Sequence, residues 1–138
     1  MSEDTIDLAQ NYLLLQPEGS ANLLPGGREF WTQLMSGNPA DPGIGTLMAS
    51  EHGRLLSVLI MDADWATWER HPTGDEILVM LDGQATFLLE LADGVREIEL
   101  VPGRALVMPR GVWHTAKVSR PVRLLAITAG HGTQHRSA

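Results

Sequence analysis

The sequence contains no cysteine in its 138 residues. Disulfides, thiolate metal sites and a cysteine nucleophile are therefore excluded. It also lacks any apolar run near the roughly 20 residues that a membrane helix needs. Residues 1–4, Met-Ser-Glu-Asp, do not have the basic character of a secretory signal. We therefore expect a soluble, cytoplasmic protein.

Positive charge is also scarce, since the sequence has 10 Lys and Arg against 17 Asp and Glu, and the formal net charge is −7. Nucleic acids and anionic membranes attract basic surfaces, so neither is expected as a partner. There is no Gly-x-Ser-x-Gly nucleophile elbow, and the glycines near residues 43–45 and 130–132 lack the context of a phosphate loop. The hydrophobic fraction of 43% and the length fit one globular domain.

Short apolar segments separated by turn residues occupy residues 44–130. Eight or more such strands with almost no helix predict an all-β sandwich or jelly-roll barrel. Gly45 to Ser50 and Arg54 to Met61 read as the first hairpin. Residues 1–43 are interrupted by proline and glycine, and Glu29 to Met35 predicts a short helical turn. We expect 1–43 to be an arm that packs on the barrel or on a second subunit; a partly mobile leader is the alternative.

Asp82-Gly83 lies between two apolar segments and predicts a tight hairpin, because type I′ turns need positive φ at both positions. Strand alternation then places one carboxylate on an otherwise apolar face. That face comprises Glu76, Leu78, Met80, Ala85, Phe87 and Leu89. A buried carboxylate is costly without a partner, so Glu76 needs a metal or a histidine. The opposite face carries Ile77, Val79, Leu81 and Leu88. Apolar residues there need cover, which favours a homodimer.

Two motifs in this region resemble those of the cupin superfamily. The first motif is matched by Glu69-Arg70-His71, Glu76 and Gly83, and the second by Gly103, Pro109, Gly111 and His114, each at the family's internal spacing. The resemblance covers about residues 44–130 and implies a single cupin-type double-stranded β-helix, that is, a jelly-roll β-barrel. Three positions depart from the family pattern: Ala63 replaces a glycine, Val118 an asparagine and Glu69 the first histidine.

Carried over position by position, the resemblance implies a metal site made of Glu69, His71, Glu76 and His114. Two imidazoles and two carboxylates suit a divalent transition metal such as Fe, Mn, Ni or Zn. Glu69 could instead leave the metal and act as a catalytic base. Three residues would then still be available as ligands.

The same resemblance implies a metal-dependent enzyme, of dioxygenase, isomerase or decarboxylase type, that acts on a small organic molecule. The alternative is a metal- or small-molecule-binding sensor without catalysis. A metal-free epimerase-like reaction would need a tyrosine, and Tyr12, the only one, lies in the arm. Outside the motifs, His131 and His135 fall in residues 131–138, which we interpret as a loose C-terminal tail. Trp65, Trp68 and Trp113 either line the pocket mouth or pack the barrel.

Overall fold

A computed structural model of the chain describes residues 5–138. In chain order it contains β1 (Asn11–Leu15), β2 (Ala21–Pro25), α1 (Gly27–Ser36), α2 (Pro42–Ala49), β3 (Arg54–Met61), β4 (Thr67–Arg70), β5 (Glu76–Leu91), β6 (Gly94–Leu100), β7 (Ala105–Met108), β8 (His114–Thr128) and β9 (Gln134–Ser137). Strands hold 51% of the described residues, which confirms the all-β prediction. Neither helix in the described part of the chain is long and apolar enough to cross a membrane.

Two long strands, β5 and β8, form the spine of the fold and pair antiparallel along most of their length. On the other edge of β5, β7 pairs with the first half and β6 with the second half. On the other edge of β8, β4 pairs at its start and β3 at its end. The nine strands within residues 5–138 thus form one connected sheet, in which each long strand has partners on both edges. This sheet contributes an apolar core of Leu78, Met80, Ala85, Phe87, Leu89, Leu100, Met108, Ala116, Val122, Leu124 and Ala126. This is the predicted jelly-roll architecture.

The predicted hairpin at Asp82-Gly83 is wrong, because β5 runs through these residues as one strand. Its ladder with β8 is irregular at this point. Gly83 has φ +88°, and a Cβ there would lie 2.0 Å from the Pro121 carbonyl oxygen. A bulge needs the conformational freedom of Asp-Gly as much as a tight turn does. The predicted buried face is nevertheless present, with all six of its residues buried.

The arm joins the barrel through β1, which pairs with β2 on one edge and β3 on the other. The predicted helical turn near Glu29 is confirmed as part of α1. The predicted strand at Gly45 to Ser50 is wrong, because α2 occupies most of it. The Asp41 carboxylate accepts hydrogen bonds from the backbone N–H groups of Gly43 and Ile44. This cap stabilises the helix start and outweighs the strand pattern. α2 also crosses the expected arm–barrel boundary at residues 43–44.

The last residues are not the loose tail that we predicted, because they form β9, which pairs antiparallel with β4. The Arg136 guanidinium lies 4.6 Å from the Trp113 ring centre and 5.3 Å from that of Trp68. It also forms an ion pair with Glu90. Cation–π contacts and the ion pair hold this strand against the barrel. Trp68 and Trp113 therefore serve packing.

Candidate metal centre

All four predicted ligands come together at one end of the barrel. Glu69 lies on β4, His71 follows that strand, and Glu76 and His114 are the first residues of β5 and β8. Glu69 and His114 are direct cross-strand partners, so their side chains point to the same face. One potential ligand atom from each of the four residues lies within 4.8 Å of the others.

The cluster is almost closed to solvent. Side-chain exposure is 0% for His114, 4% for Glu76, 5% for His71 and 18% for Glu69. His71 Nε2 lies 3.3 Å from Glu76 Oε2 and 3.5 Å from Glu69 Oε1. His114 Nε2 lies 3.4 Å from Glu76 Oε1 and 3.7 Å from Glu69 Oε1. Four ionisable groups therefore share one small volume, with Glu69 nearest to solvent.

Neighbouring groups orient three of the four side chains. His114 Nδ1 is 3.0 Å from the Val112 carbonyl oxygen, which can only accept a hydrogen bond. The proton of a neutral His114 is thus on Nδ1, and the lone pair of Nε2 faces the cluster. His71 Nδ1 is 2.8 Å from the Thr133 hydroxyl. The Thr128 hydroxyl donates to Glu76 Oε2 at 2.6 Å. These contacts direct both Nε2 atoms and the free Glu76 oxygen inward.

Three of these inward atoms are buried and make no hydrogen bond: His71 Nε2, His114 Nε2 and Glu76 Oε1. Buried polar atoms rarely stay unpaired in native proteins, because the loss of hydration is costly. A divalent cation would satisfy all three at once. Two imidazole nitrogens and two carboxylates are donors that fit Mn, Fe, Ni or Zn. The residues present therefore fit a bound metal ion.

The charges of the cluster stabilise each other strongly. Burial opposes ionisation of Glu69, but the nearby imidazoles of His114, His135 and His71 hold its pKa well below the ordinary value. Burial also opposes ionisation of Glu76, and the same two site histidines lower its pKa. Against the effect of burial, the two carboxylates raise the pKa of His71 to about 10 and that of His114 to about 9. A metal must therefore displace protons from both rings.

A fifth residue, His135 on β9, reaches the cluster from the other side. Its Nε2 lies 3.3 Å from Glu69 Oε2, and its side chain is 29% exposed. The sequence interpretation missed this contact, because nothing in the spacing of residues 131–138 shows that they pair with β4. His131 does not join the cluster, and its Nδ1 lies 3.1 Å from the Met48 carbonyl oxygen.

A cavity of about 300 Å³ reaches the cluster and is lined by Glu69, His71, Glu76 and Trp65 together with residues of both helices. A second cavity of about 530 Å³ meets it near Trp65, Glu69 and His135. Tyr12, the residue that an epimerase-like reaction would need, borders only this second cavity. It is 2% exposed and packs edge-on against Phe30. A small molecule can therefore approach Glu69 through either cavity.

Solved structures share the fold of this chain. Oxalate decarboxylase from Lactobacillus farciminis is 15% identical with a TM-score of 0.51, covering 61% of this chain and 26% of that one. The S161A mutant of the Bacillus subtilis oxalate decarboxylase is 17% identical with a TM-score of 0.50, covering 61% and 23%. A cupin-2 domain containing protein from Shewanella frigidimarina is 20% identical with a TM-score of 0.47, covering 54% and 68%.

This chain thus spans about a quarter of the length of either decarboxylase. No protein-family model and no curated protein matches the sequence. The likeness therefore concerns the fold.

Proposed function

We propose that this protein, which has the cupin fold, is a metal-dependent enzyme that acts on a small organic molecule. The observation that carries the proposal is the convergence of His71 Nε2, His114 Nε2 and Glu76 Oε1, three buried atoms without hydrogen-bond partners. Together with Glu69 they would hold one divalent Fe, Mn, Ni or Zn ion. When bound, the ion supplies Lewis acidity toward an oxygen of the substrate.

Glu69 combines two capacities in this proposal. Its Oε1 faces the two site histidines, and its Oε2 faces His135 and the cavities. It is also the most exposed of the four residues at 18%. In this proposal Oε1 binds the metal, and Oε2, which lies beside His135, accepts a proton from a substrate in the cavity. His71 and Glu76 are oriented by their contacts with Thr133 and Thr128.

Metal content of the purified protein, measured by element-resolved mass spectrometry, tests the binding step. We expect one divalent ion per chain and loss of that ion in His114→Ala. His52→Ala is the matched control, because His52 is exposed and lies outside the cluster. Equal metal content in His71→Ala, His114→Ala and the wild type would refute the site.

The alternative of a sensor or storage protein shares the metal site and differs in the fate of the ligand. Incubation of the loaded protein with a bound small molecule, followed by mass spectrometry of that molecule, separates the two functions. We expect chemical change in the wild type and none in Glu69→Gln. Recovery of an unchanged ligand from loaded wild-type protein would favour the sensor.

We also propose that the protein forms a homodimer. On the predicted outer face, Leu81 remains 47% exposed, and Val107 on β7 and Ile60 on β3 are 58% and 60% exposed. Apolar residues of this kind need cover, which a second copy could supply. Light scattering at micromolar concentration tests this, and a monomer would contradict it.

A further inference from the structure

The cavity that reaches the metal centre is apolar along its walls. Both arm helices and β3 contribute aromatic and aliphatic side chains to it, including Phe30, Trp31, Leu34, Met35, Leu47 and Met48. Its volume of about 300 Å³ is at the lower end for small-molecule sites. A ligand with one ring-sized apolar body fits this space, because burial of apolar surface favours its entry.

Lysine and arginine are missing from the same walls, whose residues all lie within the described part of the chain. Arg28 borders only the second cavity and is itself exposed. Two carboxylates already balance the charge of a dication, and with neutral imidazoles the centre has no net charge. An anionic ligand would therefore add a negative charge to an apolar space without a counter-ion.

The two threonine hydroxyls of the cavity wall are already in use, and Ser57, the remaining hydroxyl residue of the wall, is uncharged. The Thr128 hydroxyl donates to Glu76, and the Thr133 hydroxyl contacts His71. Neither is free to neutralise a carboxylate of the ligand. An uncharged oxygen of a hydroxyl or carbonyl group can approach the centre without such a partner.

We infer that the site takes an uncharged organic molecule with an apolar, ring-sized body and a hydroxyl or carbonyl oxygen at one end, and that it selects against carboxylates. This inference rests on the proposed metal-dependent function. It also separates the chain from the oxalate decarboxylases that share its fold, because oxalate is a small dianion.

A matched pair of probes tests the charge selection. 2-Hydroxyacetophenone and benzoylformate share a phenyl ring and an adjacent carbonyl, and they differ by a hydroxymethyl group against a carboxylate. Calorimetric titration of metal-loaded protein should give at least about 10-fold tighter binding of 2-hydroxyacetophenone. Equal or tighter binding of benzoylformate would overturn the inference, as would binding of neither probe.

A second experiment places a positive charge in the cavity wall and measures the preference between the two probes again. Met35 borders the cavity and is 65% exposed, so Met35→Arg should be tolerated by the fold. This variant should tighten benzoylformate binding and reduce the preference to below about 3-fold. Met35→Gln, with similar length and no charge, should keep the wild-type preference. An unchanged preference in Met35→Arg would contradict the assignment.

Failure of the inference can be told apart from failure of the proposed function. If the protein is fully loaded with metal and binds benzoylformate at least as tightly as 2-hydroxyacetophenone, only the inference about the ligand is refuted. Absence of metal binding defeats the proposed function, and quenching of Trp31 and Trp65 fluorescence then reads the probe preference in metal-free protein. In that protein the apolar walls and the absence of lysine and arginine from them are unchanged, so the same preference is expected.

Discussion

Glu69 on β4 and His135 on β9 are direct cross-strand partners, and Glu69 Oε2 lies 3.3 Å from His135 Nε2. On its other side, Glu69 is the cross-strand partner of His114 on β8. The three residues form one row across three strands, with the same inward face. The last strand of the described chain thus fixes the most exposed residue of the candidate metal centre.

His135→Ala should weaken metal binding by about 10-fold, because partners behind the ligands of a metal orient those ligands. His135→Gln keeps a donor and should retain more of the affinity. The measurement is competition with a chelator of known strength. Gln134→Ala is the control, since Gln134 contacts Arg70 and not the cluster. Wild-type affinity in His135→Ala would contradict this role.

Thr133→Val should also weaken metal binding by about 10-fold, because it removes the hydroxyl that lies 2.8 Å from His71 Nδ1. Valine keeps nearly the same shape, so the fold should persist. Thr73→Val is the matched control: the Thr73 hydroxyl donates to the His131 carbonyl oxygen and does not touch the cluster. Equal chelator titrations for both variants would refute an orienting role for Thr133.

Metal-free protein should be most stable between about pH 4.5 and pH 6.5. The lowered pKa values of Glu69 and Glu76 give stability that is present above 4.5 and lost as the pH falls through the folded-state values. The raised pKa values of His71, about 10, and His114, about 9, give stability that is full below 6.5. The stability contributed by the two histidines is lost as the pH rises through their folded-state pKa values.

Urea unfolding in the presence of a chelator at several pH values measures this dependence. The double variant His71→Gln/His114→Gln should lose the decline in stability on the alkaline side. Metal affinity should change in the opposite direction, rising with pH as protons leave the two rings. A wild-type stability that stays constant from pH 6 to pH 10 would contradict the assigned charges.

Gly83→Ala should destabilise the protein by about 3 kcal/mol or more, because a Cβ would lie 2.0 Å from the Pro121 carbonyl oxygen at φ +88°. Gly103→Ala is the matched control. Its φ is +84°, but no atom lies within 4 Å of the added Cβ. It should cost only about 1–2 kcal/mol for the left-handed backbone. Urea midpoints of both variants measure the difference, and equal losses would refute the steric explanation.

The four members of the cluster were predictable because they occupy the positions at which the two sequence motifs resemble the metal-ligand positions of cupins. The buried face of β5 was also predictable, although the reasoning through a hairpin was wrong. Met80 and Ala85 would face opposite sides of a regular strand. The irregularity between them restores a common face, as a hairpin would.

Features that depend on contacts between distant segments were not predictable. α2 is short and apolar, so its pattern alone does not distinguish a helix from a strand, and the Asp41 cap and the packing of the segment show it to be a helix. β9 has no apolar pattern. Its order comes from pairing with β4 and from the contact of Arg136 with Trp113, residues that are remote in sequence.

Gly83 approaches Pro121 closely at the irregularity between the two spine strands, and neither residue belongs to a helix. A slip of one residue between these strands would move Glu76 and His114 to opposite faces. The frame that holds these side chains is therefore separate from the helices that wall the cavity. Redesign of α1 and α2 could exchange one ligand preference for another while the acids and imidazoles keep their places.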